Sequence, residues 1–175
     1  MTRGLLVPGR GIPRPEHWLR QWADTHPEYR WAPEPPGPPL ILNDRVAALH
    51  AAVSESEESA IIIAHSAGCI TTAVWAAANH AGPVRAALLV TPPCVRSFEP
   101  DDPSDIPWPV IRRTLPFRSV LVASRNDPYT TFAQFEQLAE DWGADLVDAG
   151  AVGHLDSATG FGPWPDGERL VGRLG

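Results

Sequence analysis

Apolar residues in this chain gather in short unbroken runs, with helical patterns between them. The runs cover residues 4–7, 60–64, 86–90 and 119–123, and two weaker ones lie at 40–42 and 145–148. Runs without apolar–polar alternation, such as Ile61-Ile62-Ile63, suit strands covered on both faces, as in a parallel sheet. Trp18, Leu19 and Trp22 predict a helix over 15–25. Val46, Leu49 and Val53 predict one over 44–53, with Asn43 as its cap. The small apolar stretch 68–79 reads as a helix buried against a sheet. Phe132, Phe135 and Leu138 predict a helix over 131–142 capped by Thr130, and a last helix is expected over 166–174. Strands alternating with helices predict a doubly wound α/β fold: a mainly parallel sheet of about six strands, with helices on both faces and a minimal cap.

Composition narrows the function. At 175 residues the chain is expected to form one domain, spanning 1–175. The formal net charge is -7 and no basic cluster stands out, so the surface repels phosphate backbones and no nucleic-acid partner is expected. No run approaches the roughly 20 apolar residues that cross a bilayer, and the first apolar stretch is too short for a signal peptide. The expectation is a cytoplasmic protein with no membrane partner. Cys69 and Cys94 cannot build a disulfide framework. Two proline-rich stretches, 33–39 and 92–116, interrupt the strand–helix rhythm. The second is long for a connection, and reads either as a functional loop or as a stiff surface loop.

The strongest local signal is Ala64-His65-Ser66-Ala67-Gly68, which ends a β-branched strand and opens a helix. That is the setting of a nucleophile elbow, where a sharp, strained turn lifts a serine hydroxyl above the sheet. Small residues are needed two before and two after the serine, and Ala64 and Gly68 meet the need. The other reading is a serine that merely caps the helix. His65 should point away from Ser66 and either pack or support the site from behind, rather than act as the base.

In this fold an acid follows a later strand and a histidine follows the next. Asp127 lies after the strand at 119–123, and His154 lies in a glycine-bounded loop after the strand at 145–148. Strand carboxyl ends share one edge, so Ser66, Asp127 and His154 are expected to converge. His154 would take the serine proton, and Asp127 would hold its ring in the right tautomer. Asp148 and Asp156 are rival acids. His17, His26, His50 and His80 show no metal-ligand spacing, and neither a metal nor a cofactor is expected. An oxyanion hole would use the backbone N–H groups of Ala67 and of Arg10, in the glycine loop after the first strand. The candidate substrate pocket comprises Gly9, Gly11, Trp18, Phe98, Trp108, Phe161 and Trp164, with the aromatics equally open to a core role.

Several segments resemble one family. They are Val7-Pro8-Gly9 with His17-Trp18, Ala64–Cys69, Ser124-Arg125-Asn126-Asp127-Pro128-Tyr129, and Gly153-His154 with the run 160–165. In this order they resemble the retinoblastoma-binding protein 9-like serine hydrolases, small members of the α/β-hydrolase superfamily, across nearly the whole chain. The resemblance implies a compact serine hydrolase with Ser66, Asp127 and His154 as its triad. The leucine-x-cysteine-x-glutamate motif tied to retinoblastoma protein binding does not occur here. The expected function is an esterase-like acyl hydrolase of small acyl substrates. Short-chain esters should be preferred over long lipids. The alternatives are a non-catalytic binding module on the same scaffold and an acyltransferase or thioesterase of a biosynthetic pathway.

Overall fold

A computed structural model describes residues 2–35, 41–94 and 111–175. Six strands form one sheet: β1 (Arg3–Val7), β2 (Tyr29–Trp31), β3 (Ala60–His65), β4 (Val84–Val90), β5 (Arg118–Ala123) and β6 (Asp145–Asp148). All pairings are parallel, in the order β2-β1-β3-β4-β5-β6. Five helices alternate with them among the described residues: α1 (Trp18–Thr25), α2 (Leu42–Ser54), α3 (Ala67–Ala78), α4 (Phe132–Trp142) and α5 (Pro165–Gly172). This is the doubly wound α/β fold that the pattern predicts.

The central strands carry near-continuous apolar runs because both faces are covered. Ile62, Ala64, Leu89, Leu121 and Ala123 pack with Leu49, Ile70, Trp75, Phe135 and Trp142, from α2, α3 and α4. Alternate residues, Ile61, Ile63, Leu88, Val120 and Val122, pack with Trp18, Leu19, Trp22 and Val171, from α1 and α5. Strand order reverses between β1 and β3, so the loop after β1 and the turn after β3 border one crevice at the carboxyl edge.

Three local expectations need correction. The second strand is Tyr29–Trp31, and of the run expected at 40–42 residue 40 lies outside the described residues. Leu42 begins α2, and Ile41 precedes it as an N-cap with no side-chain bond, so Asn43 is not the cap. Asp44 in the first turn favours a helix start. The cap of α4 is Thr131 rather than Thr130. Its hydroxyl accepts the Gln134 N–H while the Gln134 carboxamide accepts the Thr131 N–H. Thr130 turns inward, donating to the Pro92 carbonyl and accepting from the Cys94 N–H. Of the connection over 92–116, residues 95–110 lie outside the described residues.

Candidate active site

Ser66 stands between β3 and α3 with φ 53° and ψ −124°. An L-residue rarely adopts this conformation, which costs about 1–3 kcal/mol and persists where the surroundings impose it. Here the imposition is close packing. A Cβ on Gly68 would lie 2.2 Å from the Val7 carbonyl oxygen, so any side chain there would force the elbow or the end of β1 to shift. The tight neighbour is the end of β1, rather than the elbow's own strand. A Cβ on Gly9 would lie 2.9 Å from the Ser66 Cβ, so the loop after β1 also runs against the serine.

Two loops bring the partners. His154 Nε2 lies 2.8 Å from Ser66 Oγ, and His154 Nδ1 lies 2.6 Å from Asp127 Oδ2. The Asp127 carboxylate is wholly buried. Its other oxygen accepts the N–H groups of Tyr129 (2.7 Å) and Thr130 (3.0 Å), so both carboxylate oxygens have hydrogen-bond partners. The ring of Tyr129 packs edge-on against His154 at 4.7 Å.

The histidine loop is clamped along its length. Gly153 N–H donates to the Asn126 side chain and Val152 N–H to the Ser124 hydroxyl. The His154 carbonyl accepts from His65 Nε2 (2.9 Å) and from the Thr91 hydroxyl (3.2 Å). Trp18 Nε1 donates to the Leu155 carbonyl. Such clamping holds a ring in place before a substrate arrives. The rival acids have other partners: Asp148 pairs with Arg125 at 2.6 Å, and Asp156 caps the short turn Ser157–Thr159.

His65 and His17 form a buried cluster with His154 that spacing does not reveal, because they meet only in the fold. Ring centroids lie 5.0 Å apart for His17–His65 and 5.1 Å for His65–His154. Burial lowers the His17 pKa to about 4, and burial with two histidine neighbours holds His65 well below its ordinary value. Both rings are therefore neutral in the fold while the unfolded chain takes up their protons near pH 6.5. The stability they leave intact above pH 6.5 is lost on acidification. Each ring costs about 1.4 kcal/mol per pH unit until its folded pKa is reached. Urea midpoints between pH 7 and 4.5 should fall accordingly, and His65→Gln should flatten the fall. A pH-independent midpoint would contradict the neutral cluster.

Other candidate residues separate into site and core. Ala67 opens α3, where the first N–H groups have no partner within the helix. Gly11, in the same loop as Gly9 and Arg10, is exposed with φ 77°. Trp18 and Trp164 are core residues rather than pocket walls. Trp18 is fully buried, and its ring packs against Trp22 at 4.8 Å and Trp164 at 5.0 Å. Their side chains face α1 and the sheet, which nearness in sequence to the loops does not disclose. Phe161 lines an open depression of about 460 Å³ beside the histidine loop, with Asn126, Pro128, Val152 and Thr159. Phe98 and Trp108 lie outside the described residues. Among the described residues, no group of three His, Cys, Asp or Glu is arranged to hold a metal ion, and no helix is long and apolar enough to cross a membrane.

A family model described as serine hydrolase matches residues 4–173. A YdeN-like hydrolase from Pectobacterium atrosepticum is similar, with 28% identity over 99% of this chain and 90% of that one, and a TM-score of 0.84. The ydeN gene product of B. subtilis shares 18% identity over 99% and 98% of the two chains, with a TM-score of 0.66. The esterase RhEst1 from Rhodococcus sp. shares 15% over 99% and 91%, again with a TM-score of 0.66. No match was found among curated proteins.

Proposed function

The chain belongs to the serine hydrolase family, and on that premise we propose that it cleaves small acyl esters through an acyl-enzyme on Ser66. What supports the reading most is the unbroken hydrogen-bonded line from Asp127 Oδ2 through the His154 ring to Ser66 Oγ, at 2.6 and 2.8 Å. The serine hydroxyl passes its proton to His154 Nε2 as Oγ attacks the ester carbonyl carbon, and the carbonyl π pair moves onto oxygen. The N–H groups of Ala67 and Arg10 would receive that oxyanion, aided by the positive end of α3. His154 then returns the proton to the departing alkoxide as the C–O bond breaks. Water repeats the sequence on the acyl-serine and frees the acid. Throughout, Asp127 would keep the Nδ1 proton in place and balance the imidazolium.

The test is covalent. A fluorophosphonate should add one phosphonyl group per chain, peptide mapping should place it on Ser66, and hydrolysis of p-nitrophenyl butyrate should stop in step with labelling. A folded protein that takes no label, or takes it elsewhere, overturns the reading.

A further inference from the structure

The buried face of α2 is made by Arg45, Leu49 and Val53, so an arginine occupies a position where helical periodicity calls for an apolar residue. Arg45 is only 4% exposed. Its guanidinium donates from Nη1 to the Pro8 carbonyl at 2.7 Å and from Nη2 to the Gly9 carbonyl at 3.0 Å. Among the described residues no carboxylate pairs with it, and its Nε finds no partner. A buried cation without a counter-charge costs stability, so a role limited to holding the fold together explains it poorly.

The geometry gives the charge another use. A trans peptide is planar, with its C=O and N–H pointing in opposite directions. Drawing the Pro8 and Gly9 carbonyls toward the guanidinium turns the N–H groups of Gly9 and Arg10 away from it. Gly9 also packs against Ser66, where an added Cβ would lie 3.5 Å from Oγ. The loop after β1 is therefore held between a cation and the serine.

We propose that Arg45 is a positioning residue for the oxyanion hole: its two-pronged grip on the Pro8 and Gly9 carbonyls aims the backbone N–H groups of this loop at the developing oxyanion over Ser66. The inference rests on Ser66 as the nucleophile. Lysine would not substitute, because an ammonium lacks the planar fork that spans two carbonyls. Displacing such a loop by about 1 Å costs on the order of 100-fold in rate.

Arg45→Lys and Arg45→Met should each lower kcat for p-nitrophenyl butyrate by about 100-fold with KM little changed, since the grip serves the transition state. The surface control Arg20→Met should match the wild type. Millimolar guanidinium should restore part of the activity of Arg45→Ala, and melting curves with and without it should show that the gain in kcat exceeds any gain in stability. Should the variants fail to fold, amide NMR of the wild type still decides. Phosphonylating Ser66 should shift the Gly9 or Arg10 amide proton downfield together with that of Ala67. Folded Arg45 variants with wild-type kcat, or a wild type whose Gly9 and Arg10 amides ignore phosphonylation, overturn the proposal. Failure of the wild type to label at Ser66 instead removes the reading on which it stands.

Discussion

Asp127→Asn is expected to fold normally and to lose about 10,000-fold in kcat, the scale seen when a triad acid becomes its amide. The surroundings of Asp127 dictate the result. Oδ1 accepts two backbone N–H groups, from Tyr129 and Thr130, while Oδ2 faces His154 Nδ1. An asparagine keeps both backbone bonds only by leaving its oxygen at Oδ1, which puts its amino group against Nδ1. The flipped amide would set two donors against two donors and forfeit about 1 kcal/mol or more per bond. An amino group facing Nδ1 requires a lone pair there, so the ring proton moves to Nε2, the atom that must accept from Ser66. The ring remains in place and in contact with the serine, but in the tautomer that cannot take a proton. Steady-state kinetics with p-nitrophenyl butyrate, beside a melting curve, measure both halves of the expectation. A variant within tenfold of wild type would mean that another group orients His154.

The parts of this protein legible in its sequence are those whose physics is local. The runs at 60–64, 86–90 and 119–123 stand out because strands covered on both faces read as near-continuous apolar runs, and those strands lie within the sheet rather than at its edges. Ser66, Asp127 and His154 can be picked from order alone, since each follows a strand and strand carboxyl ends share an edge. Tyr29-Arg30-Trp31 escapes notice because an edge strand of three residues, partly exposed, leaves too short a pattern. The buried histidine cluster escapes for a different reason: His17, His65 and His154 come from distant segments. Arg45 carried a signal. With Leu49 and Val53 it repeats every four residues, but an arginine on that stripe reads more naturally as the helix's solvent side, with Val46 taken as the buried residue. Trp18 and Trp164, open in sequence to a pocket or a core role, take the core one. Both flank the site in sequence, yet they point into the core between α1 and the sheet.

Gly68→Ala tests how firmly the elbow ties folding to chemistry, and it is expected to destabilise the protein by about 3 kcal/mol, the upper end of ordinary overpacking, and to remove most activity. The added methyl would meet backbone on one side: the Val7 carbonyl oxygen at 2.2 Å and the Pro8 carbonyl oxygen at 2.9 Å. Neither partner can retreat cheaply. Val7 ends β1, which pairs with β2 on one side and β3 on the other, and the Pro8 carbonyl is held by Arg45. The helix cannot lift away easily, because Cys69, Ile70 and Ala73 in its first two turns are buried against the sheet. Whatever yields, the spacing between the loop after β1 and Ser66 changes, so kinetics and stability should fall together. Gly172→Ala is the natural comparison. It lies at the end of α5 with nothing within 4 Å of its Cβ, and should be neutral or stabilising by up to about 1 kcal/mol. Urea unfolding and p-nitrophenyl butyrate turnover on both variants separate the cases. A Gly68→Ala protein as stable and active as Gly172→Ala would show that β1 and α3 pack with slack, and the strain at Ser66 would then need another source.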